Sequence, residues 1–377
     1  MDGAKTIGIV GGGQLGRMLT LAAKPLGFHV VVVDPNCNSP AAQVGAEEIT
    51  ADFRDEAAIQ KLAEVSDYLT VESEHVGVDT LEKLAALGKP VNPDPGTVRM
   101  IQDKFKQKEF LHSKHIATAP FADLPDEVAG RELLKQFGGK MLVKTRHDAF
   151  DGRGNMVVEN LKELRAALQK FAGKQLYAEL YVPFVKELAV VIARSLDGDL
   201  LLYPVVETIH QRNICVEVIA PAQIHPTAAQ KAEALARQVI EQLKGAGVFG
   251  IELFLTKDDE VLVNEIAPRV HNSGHFTLDA CHTSQFEQHI RAITGLPLGD
   301  ASLLTPAAVM INVLGEQNGP TQVKGLDKAL TVPGTSVHLY GKSPTKIDRK
   351  MGHITATADT IEKARRHARR ARKNLTI

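Results

Sequence analysis

The sequence predicts a chain of mixed class, with an α/β domain first, an α+β region next and a small β-rich region last. Strand patterns alternate with helix patterns up to about residue 100. From residue 97 the chain changes to a charged helix, followed by strands with antiparallel turn signals. A stretch with Pro and Gly at 296–300 then has the composition of a linker. We therefore expect domains over residues 1–100, 101–298 and 299–377.

The first hundred residues predict a doubly wound, Rossmann-like domain. Residues 6–10 are an apolar run typical of a buried strand, and a glycine-rich turn and a helix follow at 11–16 and 14–26. A strand at 29–33 completes a βαβ unit. The later part of this domain adds two helices and a strand, at 55–65, 79–87 and 68–74.

The remaining elements are predicted from pattern in the same way. Residues 98–114 predict one charged helix, and residues 177–182 and 186–191 predict strands. In the last region we expect strands at 308–314 and 336–340, then a basic helix over 361–373 whose Arg-rich face is solvated.

Composition excludes several classes of protein. The chain has 377 residues, 44 Lys and Arg against 45 Asp and Glu, and a formal net charge of -1, which leaves no overall field to attract nucleic acid or an anionic membrane. There is no apolar run of transmembrane length and no signal-peptide core, so we expect a cytoplasmic protein. Cys37, Cys215 and Cys281 form no CxxC pair, which argues against disulfides and structural zinc.

The glycine loop, which we define as residues 11–16, allows two interpretations. It fits GxGxxG between a strand and a helix, and Asp34 follows about 20 residues later, as in dinucleotide-binding proteins. A nicotinamide-dependent oxidoreductase or a nucleotide-binding regulatory module is therefore one alternative. The other is a tight turn that packs a helix on a sheet. Such glycines let backbone N–H groups approach any phosphate or carboxylate, so the motif alone does not identify the anion.

The segment 248–266 predicts a hairpin with two opposed carboxylates. Two apolar runs flank the polar residues 257–260. If the turn centres between Asp258 and Asp259, Glu252 lies opposite Glu265 on one face. Like charges in that arrangement are destabilising unless a cation compensates them. Two carboxylates with nucleotide phosphates are a typical Mg²⁺ site, so we expect Mg²⁺ here.

Other residues are suited to binding a nucleotide. Lys104 on the charged helix and Lys144 at the end of an apolar strand can reach phosphates. The segment 177–182 predicts an edge strand, which can offer backbone groups to adenine, with a nearby Glu for the ribose hydroxyls. The loop at 146–155 is glycine-rich, carries both signs of charge, and can close over phosphates.

Five motifs together give the chain a resemblance to a known family. They are GGGQLGRM at 11–18, DGRGN at 151–155, NEIAPRVHNSGH at 264–275, TSQFE at 283–287 and YGKSPTKIDRKMGH at 340–353. With these motifs the chain resembles N5-carboxyaminoimidazole ribonucleotide synthetase over nearly its whole length. The segment 206–210 and the basic end look most similar to the ATP-dependent domain of the fungal bifunctional aminoimidazole ribonucleotide carboxylase.

The resemblance implies an ATP-grasp fold, with a lid over about residues 120–185, and a set of site residues. ATP would be bound by Lys104, Lys144, Glu179, Val182, Glu187 and Asn264, and Mg²⁺ by Glu252 and Glu265. The second substrate would be bound by Gln14, Glu74, Arg153, Asn272, Ser273, Lys342, Arg349 and Lys350, with catalytic roles for Arg269, His271 and Asp151.

Two positions depart from the family pattern. The aromatic residue before DGRGN is commonly Tyr, but here it is Phe150, so a hydroxyl is missing. Many ATP-grasp relatives have Asn two residues after the second metal Glu, where this chain has Ala267. Asn264 precedes that Glu instead, and strand alternation predicts that its side chain points to the opposite face.

The family reaction would start with ATP, bicarbonate and 5-aminoimidazole ribonucleotide. Bicarbonate would attack the γ-phosphate to give carboxyphosphate, which releases CO₂ to the amine of the ribonucleotide; His271 or Asp151 would take the proton. The resemblance also implies a homodimer and a mutase that receives the product, as a separate protein or as a fused domain. An ATP-grasp formyltransferase that uses formate is the related alternative.

Overall fold

The computed structural model describes residues 4–147 and 154–377. Within these residues the strands form three sheets, two with four strands and one with nine. Hydrophobic side chains are buried between these sheets and the helices that cover them. No helix in the described part of the chain is long and apolar enough to cross a membrane. Cys37, Cys215 and Cys281 form no disulfide bond within the described residues.

The first sheet is parallel, and the glycine loop follows its interior strand β1. The strand order is β3-β2-β1-β4. Because β1 and β4 are parallel, the loop and the residues after β4 leave the sheet at the same end. Its elements are β1 (Thr6–Val10), α1 (Gln14–Ala23), β2 (His29–Asp34), β3 (Glu47–Thr50), α2 (Glu56–Val65), β4 (Tyr68–Val71) and α3 (Val78–Ala86).

Two predictions for this sheet need correction. The strand predicted at 68–74 ends at Val71, and residues 72–74 leave the sheet with their side chains directed into the cavity described below. Strand β3 was not predicted, because an edge strand with the sequence EEIT has no buried apolar run.

The single charged helix predicted at 98–114 is two helices, α4 (Pro95–Gln102) and α5 (Lys104–Ser113). Asp103 between them has φ -100° and ψ 105°, and its carboxylate accepts hydrogen bonds from the N–H groups of Phe105 and Lys106. Asp103 is thus the N-cap of the second helix, which explains the break. It also pairs with Arg146.

The second sheet is a separate antiparallel unit with its own hydrophobic core. Its strand order is β5-β8-β6-β7, and its two helices pack against one face. Its elements are β5 (Phe121–Asp123), α6 (Glu127–Gln136), β6 (Met141–Thr145), β7 (Asn155–Val158), α7 (Leu161–Lys170) and β8 (Leu176–Leu180).

The nine-stranded sheet forms the centre of the molecule. Strand β13 lies between β9 and β14, and β9 continues the sheet through β11 to β12, while short β10 pairs with β9. The first elements of this sheet and its helices are β9 (Phe184–Arg194), β10 (Leu200–Leu202), β11 (Val206–Gln211), β12 (Ile214–Ala220), α8 (Pro226–Gln242), β13 (Gly247–Thr256), β14 (Val261–Ala267), α9 (Thr277–Ala280) and α10 (Gln285–Thr294).

The last strands belong to the same large sheet, since β15 pairs with β12. They and their helices are β15 (Ala307–Leu314), α11 (Leu326–Leu330), β16 (Thr335–Leu339), β17 (Lys350–Ala358) and α12 (Ile361–Asn374). Helix α12 is amphipathic and not simply solvated: it buries alanines against β15 and β17, and Arg365 and Arg369 pair with the buried Glu217.

Candidate functional site

Glu252 and Glu265 are direct cross-strand partners in the hairpin of β13 and β14. The pairing is the one expected from the sequence, but the turn is different. Thr256 N–H donates to the Glu260 carbonyl, so the turn centres on Asp258. The strand pairs nearest the turn, such as Leu253 with Val263, are therefore shifted by one residue from the expected register.

A β-bulge at Asn264 restores the expected register. The ladder shifts between Glu252 and Leu253, so that Asn264 is the extra residue on β14. Asn264 therefore does not follow strand alternation, and the prediction that it points to the opposite face is wrong. Its amide nitrogen lies 3.3 Å from Glu252 Oε2, and it lines the same cavity as both glutamates.

The two glutamates have different partners. Lys104 Nζ lies 2.8 and 2.7 Å from the two carboxylate oxygens of Glu265. Glu252 has His271 Nε2 at 3.4 Å from Oε1. Burial, together with the negative charge of Glu265, raises the pKa of Glu252. Glu252 is thus the carboxylate of the pair whose charge is less well compensated.

Lys144 is held at the cavity by a buried carboxylate. Glu179 is 1% exposed and contacts Lys144 Nζ at 2.7 Å through Oε2 and Lys108 Nζ at 3.1 Å through Oε1. Burial favours the neutral acid, but the two lysines outweigh it and lower the pKa of Glu179. The Glu179 side chain therefore orients Lys144 and does not itself line the cavity. Its strand β8 lies between β5 and β6, so the edge strand predicted here is an interior strand. The buried Val182 likewise packs with Ala119 and Phe254.

Arg269 and His271 lie beside the glutamates. Arg269 Nε donates to Glu74 Oε2 at 2.7 Å, and Nη2 reaches Oε1 at 3.3 Å. Burial would raise the pKa of Glu74, but Arg269 lowers it to about 2. Burial, aided by the Arg269 charge, lowers the pKa of His271 to about 3, so the imidazole is neutral. Its Nδ1 lies 2.8 Å from Ser273 Oγ.

Several residues that were predicted to bind the second substrate also line the cavity. Asn272 exchanges two amide hydrogen bonds with Asn312, of 2.7 and 3.0 Å. Lys342 Nζ donates to the Lys350 carbonyl at 3.0 Å, and Arg349 Nη1 donates to the Pro344 carbonyl at 2.6 Å.

One cavity of about 1040 Å³ brings most of the predicted residues together. Residues from all three sheets or from the segments that follow their strands line it. The predicted residues that line it are Gln14, Glu74, Lys104, Lys144, Glu187, Glu252, Asn264, Glu265, Arg269, His271, Asn272, Ser273, Lys342, Arg349 and Lys350. Asp151 and Arg153, with Phe150, lie outside the described residues.

The glycine loop is occupied by carboxylates of the chain itself. Gly13 N–H donates to Glu72 Oε1 at 2.9 Å and Gly16 N–H donates to Glu72 Oε2 at 2.5 Å. Gly12 N–H donates to Asp34 Oδ2 at 3.0 Å. The amides that a dinucleotide pyrophosphate would need are therefore engaged, and the buried Asp34 is not available to a ribose. This geometry disfavours the dinucleotide interpretation.

Some residues of the site were not singled out from the sequence. Glu72 was missed because its partners lie 56 and 59 residues away. His210 Nδ1 lies 2.6 Å from Glu187 Oε2 in the cavity wall. Gln285 accepts from His271 N–H at 2.9 Å and donates to the His271 carbonyl at 2.7 Å, which fixes that loop. Only the TSQFE motif marked this last residue.

A second group of possible metal ligands lies outside the cavity. One ligand atom each of Asp279, His338 and His353 lies within 4.8 Å of the others. The two imidazoles are stacked, with centroids 4.5 Å apart and planes at 19°. Since nitrogen lone pairs lie in the ring plane, nearly parallel stacked rings do not direct both at one ion. We assign this group to packing between α9, β16 and β17.

Three sheets around a cavity lined by two opposed glutamates and by Lys104 and Lys144 fit the ATP-grasp class, and sequence comparisons agree. Residues 109–286 match the ATP-grasp domain family. Residues 4–102 match the ribonucleotide synthetase preATP-grasp domain family, and residues 308–367 match the phosphoribosylaminoimidazole carboxylase C-terminal domain family.

Curated relatives and solved structures give the particular family. The chain is 41% identical to N5-carboxyaminoimidazole ribonucleotide synthase of Synechococcus elongatus, covering 93% of this chain and 88% of that protein. A structure of N5-carboxyaminoimidazole synthase from Aspergillus clavatus, in complex with ADP and 5-aminoimidazole ribonucleotide, has a TM-score of 0.91 and 37% identity, and 98% of each chain is covered. The chain belongs to the N5-carboxyaminoimidazole ribonucleotide synthase family, so the ATP-grasp ligase prediction is confirmed.

The chain is also similar to a longer fungal protein. It is 46% identical to phosphoribosylaminoimidazole carboxylase of Ogataea methanolica, covering 95% of this chain and 67% of that protein. The chain therefore spans about two thirds of that relative's length. These matches favour neither the oxidoreductase nor the formate-dependent alternative.

Proposed function

We propose that this chain carboxylates 5-aminoimidazole ribonucleotide with ATP and bicarbonate, in de novo purine synthesis. The observation that carries the proposal is the cavity in which Glu252 and Glu265 face each other. Lysines suited to a triphosphate lie at one end of it, and a basic segment suited to a monophosphate lies at the other. By its name, the Synechococcus relative is a synthase of N5-carboxyaminoimidazole ribonucleotide. The Aspergillus structure is a complex with ADP and 5-aminoimidazole ribonucleotide.

The ATP end is formed by the second sheet and the outer part of the large sheet. Lys104 and Lys144 present ammonium groups to the cavity, and Leu142, Val157 and Phe184 provide an apolar wall for a base. Glu187, held by His210, is placed for a ribose hydroxyl. We propose that the second sheet, with the loop at 146–155, is a lid that excludes water from carboxyphosphate.

Mg²⁺ fits the hairpin by donor chemistry. Glu252 and Glu265 supply hard oxygen ligands from directly opposed positions. Burial raises the pKa of Glu252, the negative charge of Glu265 raises it further, and a bound cation would oppose both effects. When bound, the ion neutralises charge on the transferred phosphoryl oxygens. Lys104, already within 2.8 Å of Glu265, adds a second positive charge at the same point.

The ribonucleotide end contains the basic residues Lys342, Arg349 and Lys350, which suit its phosphate. Arg269 forms an ion pair with Glu74 and lines the cavity. Its guanidinium can there bind the carboxyl group of carboxyphosphate. His271 is neutral and can accept a proton from the amine, although a pKa of about 3 makes it a weak base. Asp151 stays the alternative base.

The test is a coupled assay of ADP release with purified protein. We expect turnover only when ATP, bicarbonate and 5-aminoimidazole ribonucleotide are all present, and none when formate replaces bicarbonate. Turnover with formate, or a thermal shift with NAD(H) in place of Mg·ATP, would contradict the proposal.

We further propose that the product passes to a mutase. The longer fungal relative, of which this chain spans about two thirds, has room for such a domain in the same polypeptide. The homodimer and the cytoplasmic location predicted from the sequence stay predictions.

A further inference from the structure

The carboxylate of Glu72 occupies the place where a glycine loop ordinarily receives a ligand. Its two oxygens accept from Gly13 and Gly16 at 2.9 and 2.5 Å, at the N-terminus of α1. The helix dipole and these amides favour a negative charge at this point, and Glu72 supplies it from within the chain.

Two glycines of the loop, Gly11 and Gly13, are required by Glu72 itself. A Cβ added at either position would lie less than 3.0 Å from the Glu72 side chain. A Cβ at Gly16 would lie 2.6 Å from the Gly11 carbonyl oxygen and 3.1 Å from Glu72 Oε2. Gly11 also has φ +116°, which disfavours any other residue. The loop is thus shaped around this carboxylate.

Glu72 also faces the ribonucleotide end of the cavity. It lines the cavity together with Gln14, the first residue of α1, and with Lys342. Burial raises the pKa of the Glu72 carboxyl, and the hydrogen bonds from Gly16 and Gly13 together with the charge of Lys342 oppose this effect. Because both Glu72 oxygens already accept from the loop amides, a phosphate bound at Lys342 would be kept off those amides.

We propose that Glu72 is a positioning residue that fixes the glycine loop and Gln14 and restricts the ribonucleotide phosphate to the basic segment. It acts through the loop and not on the reacting atoms. The inference rests on the proposed function for the identity of the substrate, but not for the occupancy of the loop.

Glu72→Gln and Glu72→Ala test this role. The glutamine variant keeps the shape but sets an NH₂ group against an N–H donor, whereas the alanine variant empties the anion position. In both we expect the KM for the ribonucleotide to rise about tenfold or more, and the KM for ATP to stay within about twofold, because the ATP end lies on other sheets. The exposed Glu64 on α2 gives a matched control, Glu64→Gln, with unchanged kinetics.

Acetate distinguishes positioning from a general structural effect. In Glu72→Ala, acetate can return a carboxylate to the loop amides, so we expect it to lower the ribonucleotide KM toward the wild-type value, at constant ionic strength with chloride. Without substrates, acetate should raise the melting temperature of Glu72→Ala but not that of the wild type.

Unchanged ribonucleotide KM in both variants, an equal rise of both KM values, or no effect of acetate would each overturn the inference. If the wild type fails to turn over bicarbonate, the proposed function fails instead. The thermal response of Glu72→Ala to acetate still reports whether Glu72 occupies the loop.

Discussion

Replacing Glu179 by glutamine would remove the negative charge between two lysines at the ATP end. Glu179 and Lys108 are 1% and 2% exposed, and their charged atoms are 3.1 Å apart. Removing one partner of a buried ion pair costs about 3–5 kcal/mol of folding free energy, since the other charge stays buried without compensation. We expect Glu179→Gln to lose about that much stability at pH 7.

The pH dependence of the free energy of unfolding of Glu179→Gln gives a second, independent test. Burial already lowers the pKa of Lys108, and Glu179 opposes this effect. Without Glu179 the folded pKa of Lys108 falls further below its unfolded value, so the unfolded state binds more protons at neutral pH. The variant should therefore gain stability as the pH rises toward 10, by up to about 1.4 kcal/mol per pH unit relative to the wild type.

Urea unfolding at pH 7, 8 and 9, followed by fluorescence and circular dichroism, measures both effects. Glu159→Gln is the control, because Glu159 pairs with Lys140 at the surface with 52% of its side chain exposed, and we expect no change in its midpoint. A Glu179→Gln midpoint equal to that of the wild type, or a deficit that does not shrink as the pH rises, would refute the buried-triad argument.

Two further predictions concern the hairpin and the contact between the first and the large sheet. Glu265→Gln should lower bicarbonate-dependent ADP release by about 10²–10³-fold with little change in melting temperature, because charge stabilisation is often the largest catalytic term; unchanged turnover would exclude the metal role. His289, with Nε2 at 2.8 Å from Thr70 Oγ1, accepts from Val248 N–H, and burial lowers its pKa to about 4. Its folded pKa is below the unfolded value, so wild-type stability should fall between pH 6.5 and 4. His289→Gln should make this fall less steep in urea titrations by the share of one proton, since other buried histidines such as His271 contribute the rest.

Local pattern was enough to predict the parallel sheet, the hairpin and the pairing of Glu252 with Glu265. These features depend on residues close together in sequence, where periodicity and turn chemistry are informative. The break at Asp103 was also local, but the N-cap was hidden within a run of charged residues that fits a continuous helix. The predicted turn was off-centre, and the bulge at Asn264 compensated for this error.

The contacts that position the site could not be predicted, because they join distant segments. Glu74 meets Arg269 across 195 residues, and Lys104 meets Glu265 across 161. No periodicity encodes such pairs. The attachment of β15 to β12 was missed for the same reason, since strand order in a sheet is a property of the whole fold.

The carboxylates around the cavity differ in how their charge is compensated, and this difference separates positioning from ligand binding. Glu72 accepts from two backbone amides, Glu74 from one guanidinium, and Glu179 from two ammonium groups, so each has donors within the chain. Glu252 and Glu265 face each other, and Lys104 contacts Glu265. Opposed carboxylates raise the folding free energy unless a cation joins them. The hairpin is therefore the part of the cavity whose electrostatics favour binding a divalent ion with its nucleotide.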